Sequence, residues 1–467
     1  MSFTRQIYYR LPVSLRSTAA SLRGFYLWCW RYGIDGERLV GIILEREHWS
    51  AAEWTRWQKE QLASVLHRAA TRVPYYREQW ATRRRNGDHA SWEYLKNWPI
   101  LQKDTVRANP NAFLADDCRT RRMFREHTSG TTGTPLDLWW SRKTTSAWYA
   151  LFEVRCRRWY GVSRKNRWAI LGGQLIVPVQ QRTPPFWVWN LPLNQLYMSS
   201  YHLAPDLIPY YITALRKYRI EYLLGYSSSL YALAEVMKRT DQTLRLKVVV
   251  TNAEPLYPFQ RNVIASAFQC PVRETYGMAE LVAAASECPD GSLHLWPDVG
   301  WVEIAKSGDH DETACGGELI CTSLLNMDMP LIRYLVGDRV AQTPDRSSCG
   351  CGSALPVFGQ VEGRTDDTLF TRDGRRIGRL DPVFKEGLPI REAQIVQETL
   401  DTLRVRYVSA SDSMMDVGTV IADRLRERMG DVHILLEPTD RIPRESNGKF
   451  RSVICRLGAN GRPPSHI

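Results

Sequence analysis

What this chain lacks narrows its function before any motif is read. Across its 467 residues no apolar run approaches the ~20 residues that a membrane-crossing helix requires. No apolar stretch followed by a small-residue cleavage site marks a secretory signal. The ten cysteines are therefore expected in a reducing, cytoplasmic compartment, as free thiols or metal ligands. No Gly-Lys-Ser/Thr closes a glycine-rich loop, which excludes a Walker-type phosphate site. No RNA- or DNA-binding signature occurs, so nucleic acid is not an expected partner. There is no internal repeat and no low-complexity tract, and residues 1–33 contain no acidic side chain.

What is present belongs to a globular protein, with 44% hydrophobic and 24% charged residues. The length allows two or more domains, each with its own core. Lys+Arg exceed Asp+Glu by 62 to 50, a formal charge of +12 that suits anionic partners. The excess is uneven. Arg5, Arg10, Arg16, Arg23 and Arg31 are interleaved with Tyr8, Tyr9, Phe25, Tyr26, Trp28 and Trp30. Residues 1–48 read either as a helical leader packed on the main domain or as a segment in peripheral contact with an anionic membrane surface, at the inner membrane face.

Residues 129–135 form the densest turn-forming stretch. Ser129, Gly130, Thr131, Thr132, Gly133 and Thr134, closed by Pro135, offer backbone N–H groups and hydroxyls that can converge on a phosphate. An ordinary surface loop has the same composition.

The opening third reads as helical. Ser50 with Glu53 is a capping box, and Trp54, Trp57, Leu62, Val65, Leu66 and Ala69 recur at helical spacing until Val73-Pro74. Polar stretches at 83–88 and 118–125 read as surface loops. Apolar runs at 168–171, 220–224 and 246–250 predict buried strands, with helices at 207–218 and 229–238 between them. That alternation predicts an α/β layered core with a parallel or mixed sheet. Further on, strands are predicted at 390–396 and 402–408 and an amphipathic helix at 417–429, in a separate α+β unit. The boundary falls at the turn 363–367.

A second constellation is independent of phosphate. Cys288 and His294 flank a glycine turn, and Cys349 and Cys351 follow in a Cys-Gly-Cys-Gly run. Three thiols and an imidazole would make a closed set for structural Zn²⁺, or they are unrelated buried thiols and a surface histidine.

Four further motifs follow the 129–135 loop in order: Tyr276-Gly277-Met278-Ala279-Glu280, Arg333-Tyr334-Leu335-Val336-Gly337-Asp338, Gly363-Arg364-Thr365-Asp366-Asp367, and Asn447-Gly448-Lys449-Phe450-Arg451. Together these motifs resemble the adenylate-forming ligases, and more narrowly the phenylacetate–CoA ligase family and its relatives among capsular-polysaccharide gene products. The resemblance implies a large layered α/β adenylation domain at 49–365 and a small mobile α+β domain at 366–467, pivoting at Asp366. It implies ATP-dependent activation of a carboxylic acid to an acyl-adenylate, then transfer to a thiol such as coenzyme A, or to an amine or sugar acceptor. Carried onto this chain, the triphosphate meets the loop 129–134, Glu280 ligates Mg²⁺, and Tyr276 with Gly277 borders the adenine. Glu254 lies on the adenine-edge turn, Asp338 grips the ribose, Arg364 adds a cationic donor, and Lys449 bridges substrate carboxylate and α-phosphate. Family members carry the Cys/His set in the same places. Thr134 stands where relatives usually carry lysine, and residues 373–378 depart from their Arg-Gly-rich pattern, which weakens coenzyme A as acceptor. Acylation or amidation in surface-polysaccharide biosynthesis is the competing role. The rival class is a non-catalytic nucleotide-binding or scaffold protein that kept the fold.

Overall fold

Caps and proline set the helices of the first third. This computed structural model describes residues 8–127, 136–174, 176–178, 181–204, 206–306, 316–341, 349–364, 369–370, 372, 376–377, 390–409, 417–444 and 450–457. Helix α1 spans Val13–Arg31 and α2 Gly36–Arg46. Helix α3 (Ala51–Arg72) starts at Ser50, whose hydroxyl accepts the Glu53 N–H while the Glu53 carboxylate accepts the Ser50 N–H at 2.7 Å. At Val73-Pro74 the chain passes from one helix to the next. Val73 is extended and buried, and Pro74 opens α4 (Pro74–Arg85) at a position where no N–H is needed.

Two expected loops are corrected. Residues 83–85 form the last turn of α4, where three arginines complement the negative end of the helix dipole. Within 118–125, Thr120–Arg122 is a 3₁₀ turn, and Phe124 and Arg125 begin strand β1 (Phe124–His127), which pairs antiparallel with β2 (Asp137–Trp140). Charged side chains on a half-exposed strand hid its alternation.

After α5 (Lys103–Ala108) and α6 (Arg142–Arg155), the predicted strands appear in an eight-stranded mixed sheet. Its members are β3 (Trp168–Gly172), β4 (Trp187–Asn190), β5 (Gln195–Ser199), β6 (Tyr222–Gly225), β7 (Val248–Thr251), β8 (Val272–Gly277), β9 (Ala284–Glu287) and β10 (Leu293–Leu295). Strands β5, β3, β6, β7 and β8 run parallel; β4, β9 and β10 join antiparallel. The central strands are apolar throughout because helices α7 (Ile208–Lys217), α8 (Ser227–Arg239) and α9 (Pro258–Phe268) build a core on them around Leu223, Leu230, Val249 and Phe268.

A four-stranded antiparallel sheet follows: β11 (Gly300–Lys306), β12 (Gly316–Ser323), β13 (Tyr334–Ala341) and β14 (Val361–Arg364). It shares a core with α3 and α4 through Leu66, Trp98, Leu319 and Tyr334. Beyond the short pair β15 (Leu369–Phe370) and β16 (Arg376–Ile377), the C-terminal unit packs α10 (Val417–Met429) on a sheet ordered β19-β18-β17-β20. Those strands are β17 (Ile390–Gln397), β18 (Thr402–Ser409), β19 (His433–Pro438) and β20 (Val453–Cys455). Its core is separate, centred on Ile395, Val405 and Leu425.

Candidate functional site

The C-terminal end of β8 and the middle of β13 bring two of the motifs into contact. The Tyr276 hydroxyl donates to Asp338 Oδ2 at 2.6 Å. Burial first, then the adjoining carboxylate, raises the tyrosine well above its usual range, so it stays a protonated donor. Asp338 is the direct cross-strand partner of Arg364, so the register of β13 and β14 sets two motif residues side by side. Gly277 closes β8 with a side-chain-free position, beside which Trp148 lies at 3.4 Å from where a Cβ would stand.

Glu280 follows in a turn, not at an exposed helix start, and is buried. Its Oε1 lies 3.3 Å from Lys103 Nζ and 3.1 Å from the Tyr334 hydroxyl. Lys103 reaches it because Leu101 bridges to Tyr334, with Leu101 N–H bonded to the Arg333 carbonyl and Leu335 N–H to the Leu101 carbonyl. The antiparallel pair β1–β2, whose strands lie on either side of residues 128–135 in sequence, is tied to the same turn: Trp140 Nε1 donates to the Ala279 carbonyl at 3.1 Å. The loop residues Ser129, Gly130, Thr131, Thr132, Gly133 and Thr134, together with Asp366 and Lys449, lie outside the described residues.

Glu254 joins the two parts of the chain. One carboxylate oxygen accepts from the Ser228 N–H in the first turn of α8 at 2.9 Å, the other from the Phe450 N–H at 2.8 Å. Phe450 is the residue after Lys449. A second crossing links the Tyr257 hydroxyl to Ser452 Oγ at 3.1 Å. Beside these contacts lies a cavity of about 320 Å³, walled by Tyr201, Ser229 and Tyr231 on one side and by Glu392, Arg441 and Arg444 of the C-terminal unit on the other.

Ligand atoms of Cys288, His294, Cys349 and Cys351 all lie within 4.8 Å of one another. The Cys288 and Cys349 sulfurs are 3.6 Å apart, and Cys351 Sγ is 3.5 Å from His294 Nε2. A tetrahedron with metal–sulfur bonds near 2.3 Å has edges of about 3.8 Å, so the set fits zinc. Its tautomer fits as well: His294 Nδ1 is 2.9 Å from the Leu355 carbonyl, which a donated N–H satisfies while Nε2 keeps its lone pair toward the sulfurs. Burial pushes the Cys351 thiol up to about 12 and opposes ionisation of Cys349, but hydrogen bonds led by Ser292 outweigh it and bring Cys349 down to about 6. The set is linked by packing to Tyr276. His294 bridges to Val357, the Phe358 N–H bonds to the Leu293 carbonyl at 2.7 Å, and the Phe358 ring packs 5.6 Å from that of Tyr276.

Comparison with known proteins gives this geometry its context. The chain is 27% identical over 383 residues to protein CapK of Staphylococcus aureus, covering 78% of this chain and 80% of that one. It is 25% identical over 278 residues to a phenylacetate-coenzyme A ligase of Thermus thermophilus, covering 52% and 62%. Residues 369–456 match the family model described as the CapK C-terminal domain. A crystal structure of 2-hydroxyisobutyryl-CoA ligase, in the postadenylation state with R3-HIB-AMP, superposes with a TM-score of 0.65 at 19% identity, over 88% of this chain and 91% of that chain. The fold is that of the adenylate-forming ligases. CapK and phenylacetate-coenzyme A ligases are relatives of this chain.

Within this ligase fold, sequence reading passed over Lys103 and Tyr334 as partners of Glu280. A lysine at a helix start and a tyrosine in an apolar strand carry no local mark, because their meaning comes from the bridge between Leu101 and Tyr334. His127 ends β1 opposite Asp137. His202 is buried, with Nδ1 2.8 Å from Ser199 Oγ and Nε2 3.0 Å from the Pro178 carbonyl, a structural role.

Proposed function

We propose that this protein activates a carboxylic acid with ATP and passes the acyl group to a thiol or amine. A carboxylate oxygen of the acid attacks the α-phosphorus, the bond to pyrophosphate breaks, and acyl-adenylate remains bound. The acceptor then attacks the acyl carbon and AMP leaves. One observation carries the reading. Glu254 holds the backbone beside Lys449 to the large domain, in a chain whose ribose, adenine and magnesium candidates, Asp338, Tyr276 and Glu280, gather around the end of β8.

In this reading Lys449 places its ammonium between the reacting carboxylate and phosphate, where negative charge concentrates. Such a donor is worth about 3–4 kcal/mol, or about 10²–10³ in rate. Asp338 and Tyr276 orient the nucleoside, and Arg364 and the loop 129–134 bind phosphates. Glu280, one buried carboxylate countered by Lys103, suits Mg²⁺, which takes one or two carboxylates together with phosphate oxygens and would neutralise charge on the leaving pyrophosphate. Cys288, His294, Cys349 and Cys351 would hold Zn²⁺ in a structural role, keeping Phe358 against Tyr276.

The cavity between the domains is the proposed entry for the acceptor, since ligand clefts favour domain interfaces. Coenzyme A is the thiol that relatives named as coenzyme A ligases support. An amine or sugar acceptor in surface-polysaccharide assembly is the second reading, favoured because the C-terminal unit matches the CapK domain. Acid-dependent ATP–pyrophosphate exchange across a panel of carboxylic acids tests the first half-reaction. Adding coenzyme A, then amino sugars, and weighing the products separates the acceptors. No exchange with any acid and no ATP-induced thermal shift would overturn the proposal.

A further inference from the structure

Helix α1 has two faces, and only one is used by the fold. The inner face is clamped to β4, the edge strand of the large sheet. Ser17 Oγ accepts from Trp189 N–H at 3.3 Å, and Ser21 Oγ accepts from Leu191 N–H at 3.2 Å while donating to the Trp189 carbonyl at 3.4 Å. Gly24 is buried there, and a Cβ on it would stand 1.9 Å from Asn190 Oδ1. Tied by these contacts, the helix cannot roll.

The opposite face is apolar and in solvent. Leu15, Leu22, Phe25 and Tyr26 are 48%, 71%, 58% and 49% exposed. At roughly 100° per residue, Leu15, Leu22 and Tyr26 fall within about 40° of one another and Phe25 widens the stripe to about 100°. A contiguous stripe of this kind marks a contact surface, whereas scattered exposed leucines do not. Arg16 and Arg23 lie along its border and Arg10 just before it. Among the described residues none of the three pairs with a carboxylate; Arg16 bonds to the Tyr9 and Leu11 carbonyls and to Gln181. The acid-free sequence through residue 33 gives the face one sign of charge.

We propose that this face docks on an anionic lipid bilayer, with Leu15, Leu22, Phe25 and Tyr26 entering the headgroup–acyl boundary and the arginines reaching up to the phosphates. Charge decides for this occupant. A second copy of the chain would bring the same arginines into the contact, whereas phosphate headgroups complement them. The attachment is peripheral, as no described helix is long and apolar enough to cross a membrane.

Cosedimentation of the full chain with vesicles tests this. Wild type is expected to pellet with vesicles of phosphatidylglycerol and phosphatidylcholine and not with phosphatidylcholine alone, and 0.5 M salt (about a 3–5 Å Debye length) should weaken binding. Leu22→Ser with Phe25→Ser, and separately Arg10→Glu with Arg23→Glu, should each reduce binding at least tenfold with the thermal midpoint unchanged. Equal pelleting with neutral vesicles, or wild-type binding by both double variants, would overturn the proposal. So would sedimentation of a self-associated wild type that the Leu22/Phe25 pair of changes renders monomeric without any vesicle dependence.

Discussion

At the scale of single residues, Glu254 is the most exposed to test. Its two oxygens serve two backbone donors in different domains, and charged hydrogen bonds contribute about 1.5–3 kcal/mol each. Glu254→Gln keeps one acceptor, so pyrophosphate exchange should fall roughly 10- to 150-fold while ATP still produces a thermal shift. An unchanged exchange rate would remove Glu254 from the docking role. Glu274, beneath Tyr276 on β8, supplies a pH test. Burial raises its carboxyl from 4.5 to about 7, against the lowering effect of Arg261. Because the folded state holds the proton longer, its contribution to stability declines as pH rises from about 4.5 through about 7 and is flat above. The unfolding midpoint of Glu274→Gln should therefore gain on wild type between pH 5 and pH 8; a constant difference would contradict this. Glu280 and Lys449 stood out through the family resemblance of their motifs, and magnesium and phosphate are their proposed partners. Lys103 did not stand out, since its role arises from a bridge between Leu101 and Tyr334, more than two hundred positions apart in sequence.

At the scale of elements, the buried ion cluster under α6 and the Cys/His knuckle each make a specific expectation. Arg155 is fully buried, 2.8 Å from both Glu47 and Asp298 and flanked by the Trp54 and Trp296 rings. Arg155→Ala removes the buried cation between Glu47 and Asp298, leaving Asp298 with Arg46 and Glu47 with the Trp159 indole N–H, so denaturant unfolding should show a loss of about 3–5 kcal/mol. A loss under 1 kcal/mol would show the cluster to be wet. Metal analysis should find about one zinc per chain, and chelation or Cys349→Ser should lower the thermal midpoint. Acidification should release the metal, because thiolates and the His294 lone pair must be free of protons to bind. Well under one equivalent, with a harmless Cys349→Ser, would return these side chains to being ordinary core residues. Elements with strong caps or uninterrupted apolar runs, such as α3, β6 and β7, could be read from sequence alone. Strand β8 could not, because Arg273 and Glu274 interrupt its apolar pattern to meet Arg261 and Glu287.

At the scale of the whole molecule, two separate cores meet at a polar seam, as the proposed pivot of a small domain between half-reactions would require. Among the described residues, the Glu254 carboxylate with Phe450 and Tyr257 with Ser452 cross the seam. That a smaller unit follows the large one was legible because the strand–helix alternation changes late in the chain, although residues 363–364, expected in a turn, close strand β14, and the docking itself depends on backbone donors that no side-chain pattern encodes. Lys449, next in sequence to the Phe450 that Glu254 holds, is proposed to complete an adenylation site. Acid-dependent ATP–pyrophosphate exchange, measured for wild type and Lys449→Ala over the same acid panel, tests it most directly. Exchange with at least one acid is expected for the wild type, and a loss of about 10²–10³-fold in the variant with ATP binding intact. Wild-type exchange rates in Lys449→Ala would contradict it.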